Sequence, residues 1–374
     1  MSITFWLVAN LALLLAFVHL VSASRVRAAY RPLDSSVPIE RPPISLLAVL
    51  DEAHLEQGER VDRLLAATRK DDQLVLLVRG ANGRRYRLEQ VLERLEAVRG
   101  VSVVSAHATP GGGDEAQVFE AASRRADHAL VAFVDENIEI AAANLDEGAR
   151  LLSPTSIGVT GTGGTFAFPY AREALTLGDA AVAAHHNATL LPHLAALGLR
   201  GTPRIVLPGF WMATRNALDA AASAPRRTAE VSLSSWVGHR LRASRQRVRP
   251  LRRPVPAALE RLRPADGMRR IMTSLRDLRA LGLGLFSGLA ITWNPLGLVM
   301  AAAILGLASG SVPVSAVIAL VLLVALLRAA SVVVLNAGFY RLTPVTRFLA
   351  STLLFEALVA PWLFLAVAVR GDEH

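Results

Sequence analysis

Two long apolar blocks, one at each end of the chain, set the terms for any fold it adopts. The first, Ile3 to Ala23, runs for about twenty residues without Asp, Glu, Lys or Arg, long enough at 1.5 Å per residue to cross a hydrocarbon core of about 30 Å. No basic residue precedes it, whereas Ser24-Arg25-Val26-Arg27 and then Arg31 follow. A cleaved secretory signal has the opposite charge order. The block therefore reads as an uncleaved anchor whose carboxyl end stays on the cytoplasmic side.

The second block fills the C-terminal region and divides into three candidate spans. Leu281 to Leu307 is interrupted by Asn294-Pro295, where a kink is expected. Val312 to Leu335 carries Arg328 and is followed by Asn336, a snorkelling or packed terminus. Phe348 to Val369 ends at Arg370-Gly371-Asp372-Glu373-His374. The connection Ala308-Ser309-Gly310-Ser311 is uncharged, while the connection from Phe339 to Arg347 carries Arg341 and Arg347. Positive charge marks the cytoplasmic side. The expected topology is four spans with both termini outside and residues 24–280 in the cytoplasm, in a multi-pass protein of the inner (cytoplasmic) membrane. The expected organisation is an anchor at 1–23, a folded domain at 24–238, a basic juxtamembrane segment at 239–280 and membrane helices at 281–374.

Composition agrees. Charged residues make up 19% of the chain, against roughly 25% in soluble domains, and a hydrophobic share of 52% excludes disorder. With no cysteine there is no disulfide, thiolate metal site, iron–sulfur cluster or thiol nucleophile. The net charge of 40 − 31 = +9 is carried almost wholly by arginine, Lys70 being the lone lysine. Arginines crowd His239 to Arg270, a stretch broken by Pro250, Pro254 and Pro256 and devoid of aromatics for base stacking. An anionic lipid surface is the partner this pattern fits first, a phosphate group second and nucleic acid last.

The intervening domain alternates strand and helix. Ile44 to Leu50 is a continuous apolar run between Pro42-Pro43 and Asp51-Glu52; Gln73 to Val78, Val101 to Ser105 and His128 to Val134 are three more. Such runs are buried parallel strands. Helical patterns lie between them at Gly58 to Thr68, Tyr86 to Val98 and Glu115 to Ala126. The fold class is α/β, an open sheet with helices on both faces. Ligands of such sheets bind beyond the carboxyl ends of the strands, which is where the fourth strand delivers Asp135-Glu136-Asn137. Hard oxygen donors there suit a divalent cation that bridges phosphates, although acids at strand ends also serve as turn residues and helix caps.

Anchor, acid-tipped strand, basic segment and C-terminal spans together resemble the membrane-bound family 2 glycosyltransferases, nearest the ceramide-glucosyltransferase-like branch that includes hopanoid-associated members. Pro43-Ile44-Ser45-Leu46-Leu47 is similar to the family's opening strand, with Asp51 and Glu52 near its following acid. Asp135-Glu136-Asn137 stands at the Asp-x-Asp position. Pro208 to Asp219, containing Trp211 and Arg215, resembles the Gly-x-x-x-x-x-Arg-(Arg/Lys)-x-x-Leu-Asp block. Ala229-Glu230-Val231 stands at Ala-Glu-Asp, and Arg269-Arg270, or Arg276 to Arg279, at (Gln/Arg)-x-x-Arg-Trp.

The resemblance implies a GT-A-like sheet domain and inverting transfer from a nucleotide sugar, of UDP type, to a lipid hydroxyl. It places Asp51, Glu52, Asp135 and Glu136 at the donor, a divalent ion (Mg or Mn) on Asp135 and Asn137, Trp211 and Arg215 on the acceptor side, Arg269 and Arg270 at phosphate, and Glu230 as the base. On the residues alone, Trp211 reads first as core packing, and Glu230 first as a helix-start or structural acid. The alternative is a catalytically inactive scaffold or partner subunit, since Val78-Arg79-Gly80, Asn137 and Val231 stand where the family has aspartates. A transporter ranks last, because the spans offer few intramembrane charges. His185-His186 with His193 reads as part of an amphipathic segment abutting lipid rather than a metal site, and Gly158 to Gly164 as a turn after a strand.

Overall fold

The run Ile44–Asp51 forms the first strand of the protein, seen in a computed structural model that describes residues 2–31, 40–51, 59–79, 101–106, 123–152, 162–198, 209–222, 237, 241, 246–259, 261–281, 286, 289, 294–310 and 312–370. In chain order the elements begin α1 (Ser2–Ala29), β1 (Ile44–Asp51), α2 (Glu59–Ala67), β2 (Gln73–Arg79), β3 (Val101–Ala106), β4 (Leu130–Val134) and α3 (Ala142–Leu152). They continue β5 (Thr162–Phe166), β6 (Pro169–Ala171), α4 (Leu177–His185), a π-helical turn (His186–Leu190), α5 (Leu191–Gly198), β7 (Phe210–Thr214) and α6 (Arg215–Ala222). Last come β8 (Arg247–Pro250), β9 (Val255–Ala257), α7 (Pro264–Leu281), α8 (Pro295–Ala308), α9 (Val314–Leu335), α10 (Leu349–Leu354) and α11 (Ala360–Arg370), with π-helical turns at Asn336–Tyr340 and Phe355–Val359.

The chain divides into two compact units. Pro32–Pro169 and Gly201–Ala257 form a sheet unit; Met1–Arg31, Tyr170–Arg200 and Ala258–His374 form a helical unit. The segment 170–200 thus packs with the apolar helices although its neighbours in sequence belong to the sheet.

In the sheet unit seven strands lie in the order β3-β2-β1-β4-β7-β5-β8. β1 pairs in parallel with both β2 and β4, and Leu46, Leu47, Ala48 and Leu50 are wholly buried, as the uninterrupted apolar run requires of a strand covered on both faces. The crossover helix α2 lays Val61, Leu64 and Ala67 against the sheet, each large aliphatic side chain contributing about 1.5–3 kcal/mol by burial. At the amino ends of the strands Arg41 is buried with Asp72, donating to its two oxygens at 2.7 and 2.6 Å, and Asp72 accepts the N–H of Ile44 at 2.9 Å. That pair ties the start of β1 to the start of β2.

β7 enters antiparallel between β4 and β5. The glycine run expected as a turn is corrected here: Thr162–Phe166, including Gly163 and Gly164, is strand β5. A Cβ on Gly164 would lie 2.8 Å from the Leu241 side chain, so these glycines admit a close neighbour within the sheet.

In the helical unit, among the described residues, three helices are long and apolar enough to cross a membrane: Ile3–Ala29, Val314–Tyr340 and Leu349–Val369. The protein is therefore of multi-pass membrane type. Of the expected span Leu281 to Leu307, the described residues show Pro295–Ala308 as a shorter apolar helix that starts at Asn294-Pro295, and most of 282–293 lies outside them. The Asn294 side chain accepts the Gly297 N–H at 3.2 Å, and Pro295, which has no N–H to lose, opens α8. α1 and α9 run parallel: Phe5 and Ala9 cluster with Val312 and Val317, Ala12 and Ala16 with Val324, and Tyr30 meets Phe339 edge-on. α8 runs against them, with Gly306 beside Phe5, and Leu296 and Val299 beside Ala12 and Ala16.

Arg328 and Asn336 prove to be packed rather than snorkelling. Arg328 is wholly buried, bonded to both oxygens of Glu356 and donating to the Ala188 carbonyl at 2.7 Å. Asn336 donates to the carbonyls of Val345 and Arg347, each at 2.8 Å. The histidine segment lies inside this unit: His185 is buried, and burial drives its pKa down to about 3, so it stays neutral at physiological pH.

Candidate functional site

The strand order reverses at β1, which has β2 on one side and β4 on the other. An α/β sheet opens a ligand crevice beyond the carboxyl ends of its strands at such a point. Asp51 ends β1 opposite Arg79 at the end of β2, and Ala48 is paired with Val134, the last residue of β4. The next residue, Asp135, therefore leaves the sheet on the same edge.

The chain turns at once. The Asp135 carbonyl accepts the Ile138 N–H at 3.1 Å, and the Asp135 N–H donates to the Gly209 carbonyl at 2.8 Å. One oxygen of the Asp135 carboxylate accepts the Glu136 N–H at 2.9 Å. Ile138 is buried in the sheet's core and roots the turn, leaving Asp135, Glu136 and Asn137 half-buried at the rim. Glu139 N–H then donates to the Pro256 carbonyl at 2.9 Å, fastening the turn to β9. From α2, the Arg60 guanidinium donates through Nη2 to the carbonyls of Asp135 (2.5 Å) and Ile138 (3.1 Å), and Arg63 pairs with Glu139 at 2.9 Å. Burial pulls the Arg60 guanidinium below its usual pKa, and the Asp135 charge opposes that shift.

Among the residues expected at a site, the structure brings together Asp135, Glu136 and Asn137, with the backbone of Asp51 on the same edge. The Asp51 side chain, Glu52 and Glu230 lie outside the described residues. Trp211 lies within the sheet, wholly buried and stacked on Phe133 with ring centres 5.4 Å apart. Arg215 stands at the other end of β4: its N–H donates to the Ala129 carbonyl at 2.8 Å, about 20 Å along the strand from Asp135 at 3.3 Å per residue. Arg269 and Arg270 belong to the helical unit, on the exposed face of α7. There Arg269 stands 3.6 Å from Asp266, and the Arg270 charge, after burial, helps depress His186. Arg60 and Gly209 were not singled out by the sequence. Arg60 reads as one more polar position on an amphipathic helix, while Gly209 stands in the sequence as the first residue of the Gly-x-x-x-x-x-Arg block, without a role of its own.

The donor set fits a hard divalent cation in part. One or two carboxylates plus a neutral oxygen, completed by ligand phosphates, is how Mg²⁺ is commonly held, and Asp135, Glu136 and Asn137 supply those groups within one turn. Among the described residues no three His, Cys, Asp or Glu side chains come together to hold a metal unaided. An ion here would depend on oxygens brought by its ligand.

A mixed seven-stranded sheet that presents an acid turn beside its switch point has the fold of GT-A glycosyltransferases. The whole chain follows one such enzyme. A mannosyltransferase from Pyrobaculum calidifontis, solved in complex with GDP-Man and Mn²⁺, matches over 97% of this chain and 98% of its own, with a TM-score of 0.53 and 15% identity. Weaker likenesses extend to GalNAc-T7 with UDP, GalNAc and Mn²⁺ (TM-score 0.41, 12% identity, 65% of this chain and 48% of that one). Glucosyl-3-phosphoglycerate synthase from Mycobacterium tuberculosis is also similar (TM-score 0.34, 16% identity, 70% and 80%). No protein-family model and no curated protein sequence matches the chain.

Proposed function

We propose that the protein is a membrane glycosyltransferase of family 2 type that moves a sugar, with inversion, from a nucleotide-sugar donor to a lipid hydroxyl at the cytoplasmic leaflet. The observation that carries this reading is the turn Asp135–Ile138, which sets its acids at the carboxyl edge of β4 beside β1 in a GT-A fold.

In this reading Asp135 and Asn137 hold Mg²⁺ or Mn²⁺, and Glu136, Asp51 and Glu52 face the donor. Held there, such an ion would supply Lewis-acid neutralisation of the diphosphate charge. Glu230 takes the proton of the acceptor hydroxyl, a contribution of about 10²–10⁴-fold for a general base. Arg269 and Arg270 meet anionic headgroups or phosphate, where guanidinium pairs bidentately.

The leaflet follows from charge and direction. Arg25 and Arg27 lie in the last turns of α1 with Arg31 just after it, and Arg341 and Arg347 follow its parallel partner α9. The Arg27 side chain lies over Gly338, so both basic ends meet. Positive charge retains that end in the cytoplasm.

The test is incorporation of label from UDP- and GDP-sugars into membrane lipid by vesicles containing the protein. The expected result is Mn²⁺-stimulated incorporation that disappears in Asp135→Ala. Incorporation unaffected by that substitution contradicts the assigned site, and none from any donor by folded protein favours the inactive-scaffold reading.

A further inference from the structure

We infer that Arg60 is a positioning residue for the metal-binding turn, holding Asp135 and Asn137 in register from beneath; the inference rests on the glycosyltransferase reading above. Its Nη2 donates to the carbonyls at both ends of the turn, Asp135 at 2.5 Å and Ile138 at 3.1 Å, and the turn is closed between the same two residues by the Ile138 N–H. Fixing two carbonyls fixes the peptide planes between which Glu136 and Asn137 are suspended. It thereby fixes the directions in which the Asp135 and Asn137 side chains leave the backbone.

The charge has a second effect. Asp135, Glu136 and Glu139 all act electrostatically on Arg60, so a half-buried cation lies beside a cluster of carboxylates. Arg60 bonds carbonyls of the turn and not its carboxylates.

Ordinary helix docking does not account for this arrangement. Arg63, one turn further along α2, already ties the helix to Glu139 through an exposed ion pair. The Nε of Arg60 is buried without a hydrogen-bond partner among the described residues, and a donor so placed costs about 1–3 kcal/mol. A side chain serving stability alone gains nothing from that placement; one serving the turn is held there by the two carbonyls.

The experiment uses the full-length protein in detergent and follows thermal stabilisation by GDP-mannose and UDP-glucose as Mn²⁺ is titrated. Groups that orient metal ligands commonly change affinity 10–100-fold, so Arg60→Gln is expected to raise the Mn²⁺ half-saturation about ten-fold or more while binding at saturating Mn²⁺ recovers to within about two-fold. Arg60→Lys should fall between, and Arg63→Gln should leave the half-saturation unmoved. A purely structural role would lower the melting temperature of both Arg60 variants without shifting the Mn²⁺ curve, and that result overturns the inference. If Arg60→Gln fails to fold, an unmoved curve in Arg60→Lys overturns it equally. Wild-type protein that shows no Mn²⁺-dependent stabilisation by either nucleotide sugar overturns the glycosyltransferase reading and the inference together.

Discussion

Asp135 hangs from Gly209: the N–H of the first residue after β4 donates to the carbonyl of the residue just before β7 at 2.8 Å. Gly209 has φ +129°, a backbone conformation that side chains resist, and a Cβ added there would lie 3.0 Å from Ile138 Cδ1, inside the turn itself. Gly209→Ala should therefore cost about 1–3 kcal/mol through backbone strain and push the acid turn outward. A lower melting temperature together with weaker Mn²⁺-dependent nucleotide-sugar binding is the expected pair of results. A melting temperature that falls with binding unchanged would separate Gly209 from the site.

Arg41 and Asp72 govern stability at the opposite edge of the sheet. Both side chains are about 1% exposed, so removing either strands a buried charge, and Arg41→Ala should cost about 3–5 kcal/mol at pH 7. Burial pushes the Asp72 carboxyl up, but the Arg41 guanidinium and the N–H groups of Arg69 and Ile44 outweigh it and hold the group below its usual value. The sign follows: the stability this carboxylate contributes is complete above its unfolded pKa of about 3.9 and is lost as pH falls through the lower folded value. Thermal unfolding of wild type and Arg41→Ala across pH 3–7 should show the gap between them closing below about pH 4.

Arg328 and Glu356 form an ion pair between membrane helices, 0% and 1% exposed. Glu356→Gln or Arg328→Ala alone leaves an uncompensated buried charge and should destabilise by about 3–5 kcal/mol, whereas replacing both with leucine should cost far less. Melting temperatures in one detergent decide this. Additive single and double losses would mean the two residues act independently.

The parallel half of the sheet was legible from sequence because its strands are continuous apolar runs: β1, β2, β3 and β4 all lie where the pattern set them, within two residues at each end. Asp135 was legible for the same reason, as the first charge after an apolar strand. The antiparallel half was not. Phe210–Thr214 pairs with Leu130–Val134 although far from it in sequence, and no local pattern encodes such a pairing, so Trp211 read both as core packing and as an acceptor-side residue, and it packs in the sheet. The packing of Arg328 was equally hidden, since its partners Glu356 and Ala188 come from distant elements. Asn294-Pro295 did announce a break, but as a kink rather than the capped start of a new helix. Arg60 could not be found from sequence because what distinguishes it is contact with two carbonyls, which carry no residue identity.

The most direct test of the central claim is nucleotide-sugar binding by the detergent-purified protein, read as a thermal shift across a panel of UDP- and GDP-sugars with and without Mn²⁺. A ligand at a hundredfold excess over its Kd adds about 2.7 kcal/mol to the stability of the folded state. The account predicts a Mn²⁺-dependent upward shift with at least one donor, abolished in Asp135→Ala. A folded protein whose melting temperature is indifferent to every nucleotide sugar, with or without metal, would contradict it.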